Sequence, residues 1–166
     1  MKILYTVGIA VLAAVVFAGV SLPKRNPILV AYEDLIPSTR KQVDCLAENI
    51  YYEAGVESDQ GKLAVALVTL NRVKSEQFPK TICGVVKERN ERTCQFSWYC
   101  EPKKQINKSV YNRSREIALY TYLNYEFIKD ITYGSTFYHA TYVSPGWKNV
   151  RKTVQIGQHI FYKERL

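Results

Sequence analysis

One glutamate carries the chemistry most open to reading. Residues 38–54 place Val43, Leu46, Ala47, Ile50 and Ala54 at the spacing of one helix face, with Ser38 or Thr39 available as the cap. Glu53 stands three residues after Ile50 and seven after Leu46, so it falls on the buried face at the helix's end. Partial withdrawal from water disfavours a charged carboxylate and raises its pKa. Such a group holds a proton near neutral pH and can deliver it to a leaving group. A surface glutamate or one half of a buried ion pair are the alternatives. Glu57 follows in a short loop after Gly55. It is expected either to position substrate or to hold the loop.

Further candidates lie downstream. Gln95, Ser97 and Trp98 sit with Phe96 and Tyr99 between Cys94 and Cys100. Aromatic faces suit the apolar faces of pyranose rings, and Gln and Ser can bond hydroxyl and acetamido groups, although Phe96 reads as core. Tyr138 and His139, in a strand-like run, are placed as cleft residues near Glu53, a structural histidine being the alternative for His139. Cys45, Cys83, Cys94 and Cys100 contain no C-x2-C pair, and the two histidines, His139 and His159, are far downstream. This spacing does not suit a structural zinc site. Two disulfides of undetermined pairing are expected instead, in an oxidising compartment. No metal and no cofactor are called for, and no Gly-rich phosphate loop is present.

The elements that must position these groups follow from periodicity. A second helix, capped by Ser58 or Asp59 and running from about Gln60 to Lys74, is apolar on more than one side and so central to the core. Asn71 lies on its buried face, where an amide would tie down a loop. The stretch from Phe78-Pro79 to Cys100 reads as loops held by cysteines. A third helix spans about Asn107 to Ile128, with Val110, Ile117, Tyr120, Leu123 and Phe127 along one face. Thr136 to His139 and Thr153 to Tyr162 look like two strands, with Pro145-Gly146 as a turn and Gly157 as a bulge in the second. The class is α+β: a mainly helical body with a small antiparallel sheet.

The chain has 166 residues, 47% hydrophobic and 13% aromatic, enough for one domain with a core and unlike a disordered, fibrous or repeat protein. Ile3 to Leu22 contains no charge and is long enough for one bilayer crossing. It reads as a signal peptide, cut after Ala18 or Ser21, or as a retained N-terminal anchor. Residues 1–22 are thus the membrane or signal segment, 23–37 a tether and 38–166 the catalytic domain. Either reading exports the domain to a periplasm or cell envelope. The net charge is +8, and +7 once Lys2 is set aside. The densest run, Lys103 to Arg115, has five cations and no acid. A basic exported surface fits an anionic wall polymer or lipid head groups rather than nucleic acid, for which there is no readout motif. A solvated helix face is the plain alternative.

Several separate motifs in order resemble the cell wall hydrolase family of the SleB type, named for the spore-cortex-lytic enzymes. They are Cys45-Leu46-Ala47-Glu48-Asn49-Ile50-Tyr51-Tyr52-Glu53-Ala54, Gly61 to Ala66, Leu70-Asn71-Arg72-Val73, Phe78-Pro79, Thr81 to Val86, Cys94-Gln95-Phe96-Ser97, Thr136 to Ala140 with Val143-Ser144-Pro145 and Trp147, and Ile156 to Tyr162. The resemblance covers about residues 43–162. It implies a lysozyme-like domain that acts on peptidoglycan glycan strands as a lytic transglycosylase, cutting between N-acetylmuramic acid and N-acetylglucosamine, with Glu53 as the catalytic acid. A monomer is expected. Two departures stand out: Gly55 occupies the place of a familiar Arg, removing a cation near Glu53 and Glu57, and Glu101 stands where Asp is familiar. Two other classes remain open. One is a zinc-dependent N-acetylmuramoyl-L-alanine amidase using His139 and His159, and the other a non-catalytic peptidoglycan-binding module.

Overall fold

A computed structural model describes residues 27–102 and 105–165. The apolar segment Ile3–Leu22 and the cations Lys103 and Lys104 lie outside the described residues. Among the described residues, no helix is long and apolar enough to cross a membrane.

Helix α1 (Pro37–Ala54) starts on proline rather than on a Ser38 or Thr39 cap. Pro37 lacks the N–H that the first turn would leave unpaired, and its fixed φ already suits a helix. The expected stripe is buried throughout: Val43, Leu46, Ala47, Ile50 and Ala54 have no exposed surface. Helix α2 (Asp59–Lys74) is capped by Ser58, whose Oγ accepts from Gly61 N. It is buried on nearly every side, as an all-round apolar helix must be. The region from Phe78 to Cys100 is less irregular than its sequence suggests. It contains the five-residue helix α3 (Ile82–Val86) and the single turn α4 (Ser97–Cys100).

Helix α5 (Lys108–Asn124) is capped by Asn107 and runs antiparallel to α1. Asn107 N donates to Tyr51 Oη at one end, while Ser38 of α1 and Tyr122 of α5 share a groove at the other. Of the expected stripe only Ile117 is buried. Ser114, Ile117, Ala118, Thr121 and Asn124 turn inward, and Tyr120 is exposed. Small residues let α5 approach α1 closely, and the Ser114 and Thr121 hydroxyls are satisfied by the carbonyls of Val110 and Ile117. Residues 27–36, part of the expected tether, lie against this pair. The Asn124 side chain accepts from Ile28 N (2.6 Å) and donates to Ile28 O (3.0 Å), and Leu35 is buried in the core.

The sheet has three antiparallel strands, β1 (Phe137–Ala140), β2 (Val150–Ile156) and β3 (His159–Glu164), in the order β1-β3-β2. The expected second strand is therefore a hairpin. Gly157 is its turn (φ +55°), and the bulge lies between Lys152 and Val154. A side chain at 157 would also collide with the Glu57 carboxylate. Val154, Ile156, Phe161 and Tyr138 pack the sheet onto Ala64 and Val68 of α2.

The four cysteines pair as Cys45–Cys83 and Cys94–Cys100. The first pins α1 to α3 across 38 residues, and the second closes the short loop carrying Gln95, Ser97 and Trp98. Loop-closure entropy makes a crosslink of the longer span worth about 2–4 kcal/mol. Replacing Cys45 and Cys83 together by Ala is expected to lower stability by about that amount in chemical denaturation, with the helical circular dichroism retained.

Candidate active site

Glu53 closes the last turn of α1, and burial raises its pKa above the ordinary carboxyl value. Three neighbours oppose that rise. Tyr138 Oη donates to Glu53 Oε2 at 3.0 Å, the Arg72 guanidinium acts through its charge, and the Trp98 indole N–H lies close enough to favour the anion. Burial, reinforced by the neighbouring Glu53 carboxylate, pushes the Tyr138 phenol well above its usual value. The site is thus a poorly hydrated carboxyl with polar groups aimed at its charged form.

Each neighbour comes from a different element. Tyr138 is on β1, and successive side chains of a strand face opposite ways. It therefore points inward with His159 and Phe161, ring centroids 5.3 and 5.7 Å away. His139 faces outward, where its ring stacks on Tyr162 (5.1 Å), meets Trp147 (5.5 Å) and shares a 2.9 Å hydrogen bond with Tyr162 Oη. The described contacts do not bring His139 to Glu53. The two imidazoles also occupy opposite faces of the sheet. Among the described residues, no group of three His, Cys, Asp or Glu side chains is gathered for a metal.

Arg72 drew no individual role from the sequence, although it stands in the Leu70-Asn71-Arg72-Val73 motif. It is 3% exposed, and burial lowers its pKa. Its Nε donates to Thr136 O at 2.7 Å, and its guanidinium lies 5.2 and 5.4 Å from the Phe78 and Phe96 ring centroids. Its Nη1 is buried without a hydrogen-bond partner, as is Trp98 Nε1. An arginine on so apolar a helix is itself a signal, since a fully buried charge requires a reason.

Asn71 fixes the approach to β1. Its Nδ2 donates to Asp130 Oδ2, Thr132 Oγ1 and Ser135 O, and Tyr125 Oη donates to its Oδ1. The loop-tying amide expected from the sequence is therefore in place. Glu57 holds a second loop: both its carboxylate oxygens accept from Gln158 N at 3.3 Å, in the β2–β3 turn. Trp98 stacks on Tyr52 at 4.5 Å, beside Glu53 on α1. Gln95 and Ser97 are on the disulfide-closed loop, both exposed, while Phe96 is buried. The basic run is less available than its sequence suggests, because Arg113 pairs with Asp59 and Glu116, and Arg115 lies over the Tyr32 ring.

The mainly helical body with its small antiparallel sheet is a fold shared with SleB catalytic domains. The chain belongs to the cell wall hydrolase family, which it matches over residues 56–162. The match begins just past Glu53. A spore cortex-lytic enzyme of Oceanobacillus iheyensis is 29% identical over 126 residues, which is 75% of this chain but 42% of that protein. The chain thus spans less than half the length of that relative. The crystal structure of the SleB catalytic domain of Bacillus cereus aligns with a TM-score of 0.54 at 26% identity, over 75% of this chain and 91% of that one. The catalytic domain of the germination-specific lytic transglycosylase SleB of Bacillus anthracis aligns with a TM-score of 0.55 at 26% identity, over 75% of this chain and 95% of that one.

The electrostatics of the site lead to two expectations. The folded chain holds the Glu53 proton more tightly than the unfolded chain, so Glu53 costs stability as pH rises through the carboxyl range. Glu53→Gln is expected to equal or exceed the native protein in Tm at pH 7, the margin shrinking towards pH 4. A lower Tm at neutral pH would contradict the raised pKa. Arg72→Met removes a cation that favours the Glu53 anion, and is expected to shift the pH–activity profile upward. It should also cost about 1–3 kcal/mol of stability, because the Thr136 carbonyl loses the donor that pairs it. Arg72→Lys should restore the profile better than it restores stability.

Proposed function

We propose that the chain degrades peptidoglycan as a lytic transglycosylase, cutting the bond between N-acetylmuramic acid and N-acetylglucosamine with Glu53 as its single catalytic carboxyl. The observation that carries this reading is the setting of Glu53: a half-buried carboxyl with a raised pKa, held by Tyr138 Oη and flanked by Arg72 and Trp98. That the similar domain of Bacillus anthracis comes from a lytic transglycosylase supports the reaction type.

In this reading protonated Glu53 gives its proton to the glycosidic oxygen as the C1–O bond breaks. The resulting carboxylate then takes the proton of the muramoyl C6 hydroxyl, whose oxygen bonds to C1. Glu53 ends protonated again, the glycan gains a 1,6-anhydro end, and no water is consumed. A glycosidase that hydrolyses would need a second carboxylate about 5–5.5 Å away if retaining, or about 6.5–9.5 Å if inverting. Glu57, the next carboxylate along the chain, is engaged with the Gln158 backbone instead.

The remaining residues take supporting roles. Tyr138 orients Glu53 and stabilises its anion. Trp98, with Gln95 and Ser97 on the same disulfide-closed loop, forms a wall against which a sugar ring can lie, while its buried indole N–H faces the Glu53 carboxyl. Glu57 supports the site by holding the hairpin turn. His139 reaches substrate only where a glycan or its peptide stem crosses the outer face of the sheet. Such a substrate requires a domain outside the cytoplasmic membrane, in keeping with two disulfides and the apolar N-terminal segment. The spore role belongs to the relatives.

The test is digestion of purified peptidoglycan by the full, oxidised chain in mild detergent, with muropeptides weighed by mass spectrometry. Products one water lighter than hydrolysis products are expected, falling about 10²–10⁴-fold with Glu53→Gln. Full-mass reducing sugars would overturn transglycosylation, and free stem peptides would point to an amidase. Binding to sacculi without release would leave a non-catalytic wall-binding module.

A further inference from the structure

The apolar stripe that the sequence assigns to α5 is only partly used by the core. Tyr120 is 43% exposed, and with Leu123 it lines a groove beside the N-terminal residues Ile28–Ala31. Leu29 is 81% exposed and Ile36, at the tip of α1, 65%. Because α1 and α5 are antiparallel, the start of α1 and the end of α5 lie together, so these apolar residues crowd one end of the domain. The Asn124 clamp on Ile28 fixes where the chain leaves that end.

We propose that this end is a foot that rests on a lipid bilayer, holding the Glu53 end away from the membrane and towards the wall. The occupant follows from the chain beyond Pro27. Ile3 to Leu22 is uncharged and long enough to span the hydrocarbon core. From Leu22 to Pro27 there are five peptide steps, at most about 18 Å when fully extended. A chain anchored through that segment and clamped at Ile28 cannot carry this end far from the membrane surface. The exposed groups suit the position, since aliphatic side chains and a tyrosine favour the boundary between headgroups and hydrocarbon. Glu33, Asp34 and Glu116 also lie on or beside this end, so the contact is apolar rather than a basic patch drawn to anionic lipid. At the far end of α1, Glu53 is sixteen residues from Pro37, about 24 Å along the axis. The fold therefore separates the surface that rests on lipid from the surface that meets glycan.

The test reconstitutes the full chain in vesicles of phosphatidylethanolamine and phosphatidylglycerol containing a small fraction of phospholipid with a photoactivatable headgroup. Adducts are then mapped by mass spectrometry. Adducts are expected within residues 28–36 and 116–123 and absent from residues 95–99, with the same pattern at high salt. Adducts confined to residues 1–26, or spread evenly over the domain, would overturn the foot, as would their loss at high salt. Crosslinks joining the same face of two chains would make a second copy the occupant and also overturn it. Recovery of a chain cut after Ala18 or Ser21 that stays outside the vesicle fraction would remove its basis. Leu29→Glu combined with Tyr120→Glu should abolish the domain adducts while leaving Tm and glycan release unchanged. Leu29→Glu alone, at a largely exposed position, should weaken them several-fold, and unchanged labelling would overturn the proposal.

Discussion

A carboxyl group withdrawn from water at the end of a core helix is expensive in its charged form, and much of this structure bears on that cost. Glu53 belongs to α1 by sequence, but its behaviour is set by groups from α2, β1 and the loop around α4. Tyr138 gives it a hydrogen bond at 3.0 Å, Arg72 a positive charge, and Trp98 a nearby indole N–H. None of these is local in sequence. Tyr138 is 85 residues from Glu53, so the site exists only when the sheet is docked on α2.

Docking is achieved largely by two consecutive residues of α2. Asn71 binds the loop from Asp130 to Ser135, and Arg72 binds the carbonyl of Thr136, the residue just before β1. Two residues further on, Tyr138 meets Glu53. Asn71 and Arg72 thus fix the register at which β1 begins and, through strand alternation, which of its side chains turns inward. A slip of one residue would present His139 to Glu53 and send Tyr138 to the outer face. The Glu57–Gln158 contacts secure the sheet at another point, the hairpin turn, where Gly157 leaves room for the carboxylate.

Much of this is legible in the sequence because it follows periodicity. The buried stripe of α1 puts Glu53 on the inner face, the all-round apolar α2 marks the core, and Asn71 on its buried face announces a tied loop. Other features depend on what comes from elsewhere in the chain. Gly157 in a β-rich run reads as a bulge, and only strand pairing shows it to be a turn. The α5 stripe misleads because apolar spacing shows which face is greasy, not which partner it meets. Close packing against α1 selects the small face of Ser114, Ala118 and Thr121 instead. Tyr138 and His139 are equally plausible as neighbours of Glu53, and only the register of the strand separates them. Arg72 can be found by asking why an arginine occupies a helix with no polar side.

The balance of forces on Glu53 bears on the proposed reaction. A group that serves as acid and then as base in one turnover must be able to occupy both protonation states in the same surroundings. Burial alone would favour the protonated acid and leave the anion too costly to form when the leaving group departs. Donors and a cation alone would hold the carboxylate ionised, with no proton to give. Glu53 is subject to both: its pKa is raised by burial, while Tyr138 and Arg72 limit the rise. When the proton leaves, the anion finds the Tyr138 hydroxyl and the Arg72 charge already in position, so little reorganisation is required. That arrangement favours a single-carboxyl mechanism, because fixed dipoles stabilise the anion formed in the first step while burial keeps it basic enough to recover a proton in the second.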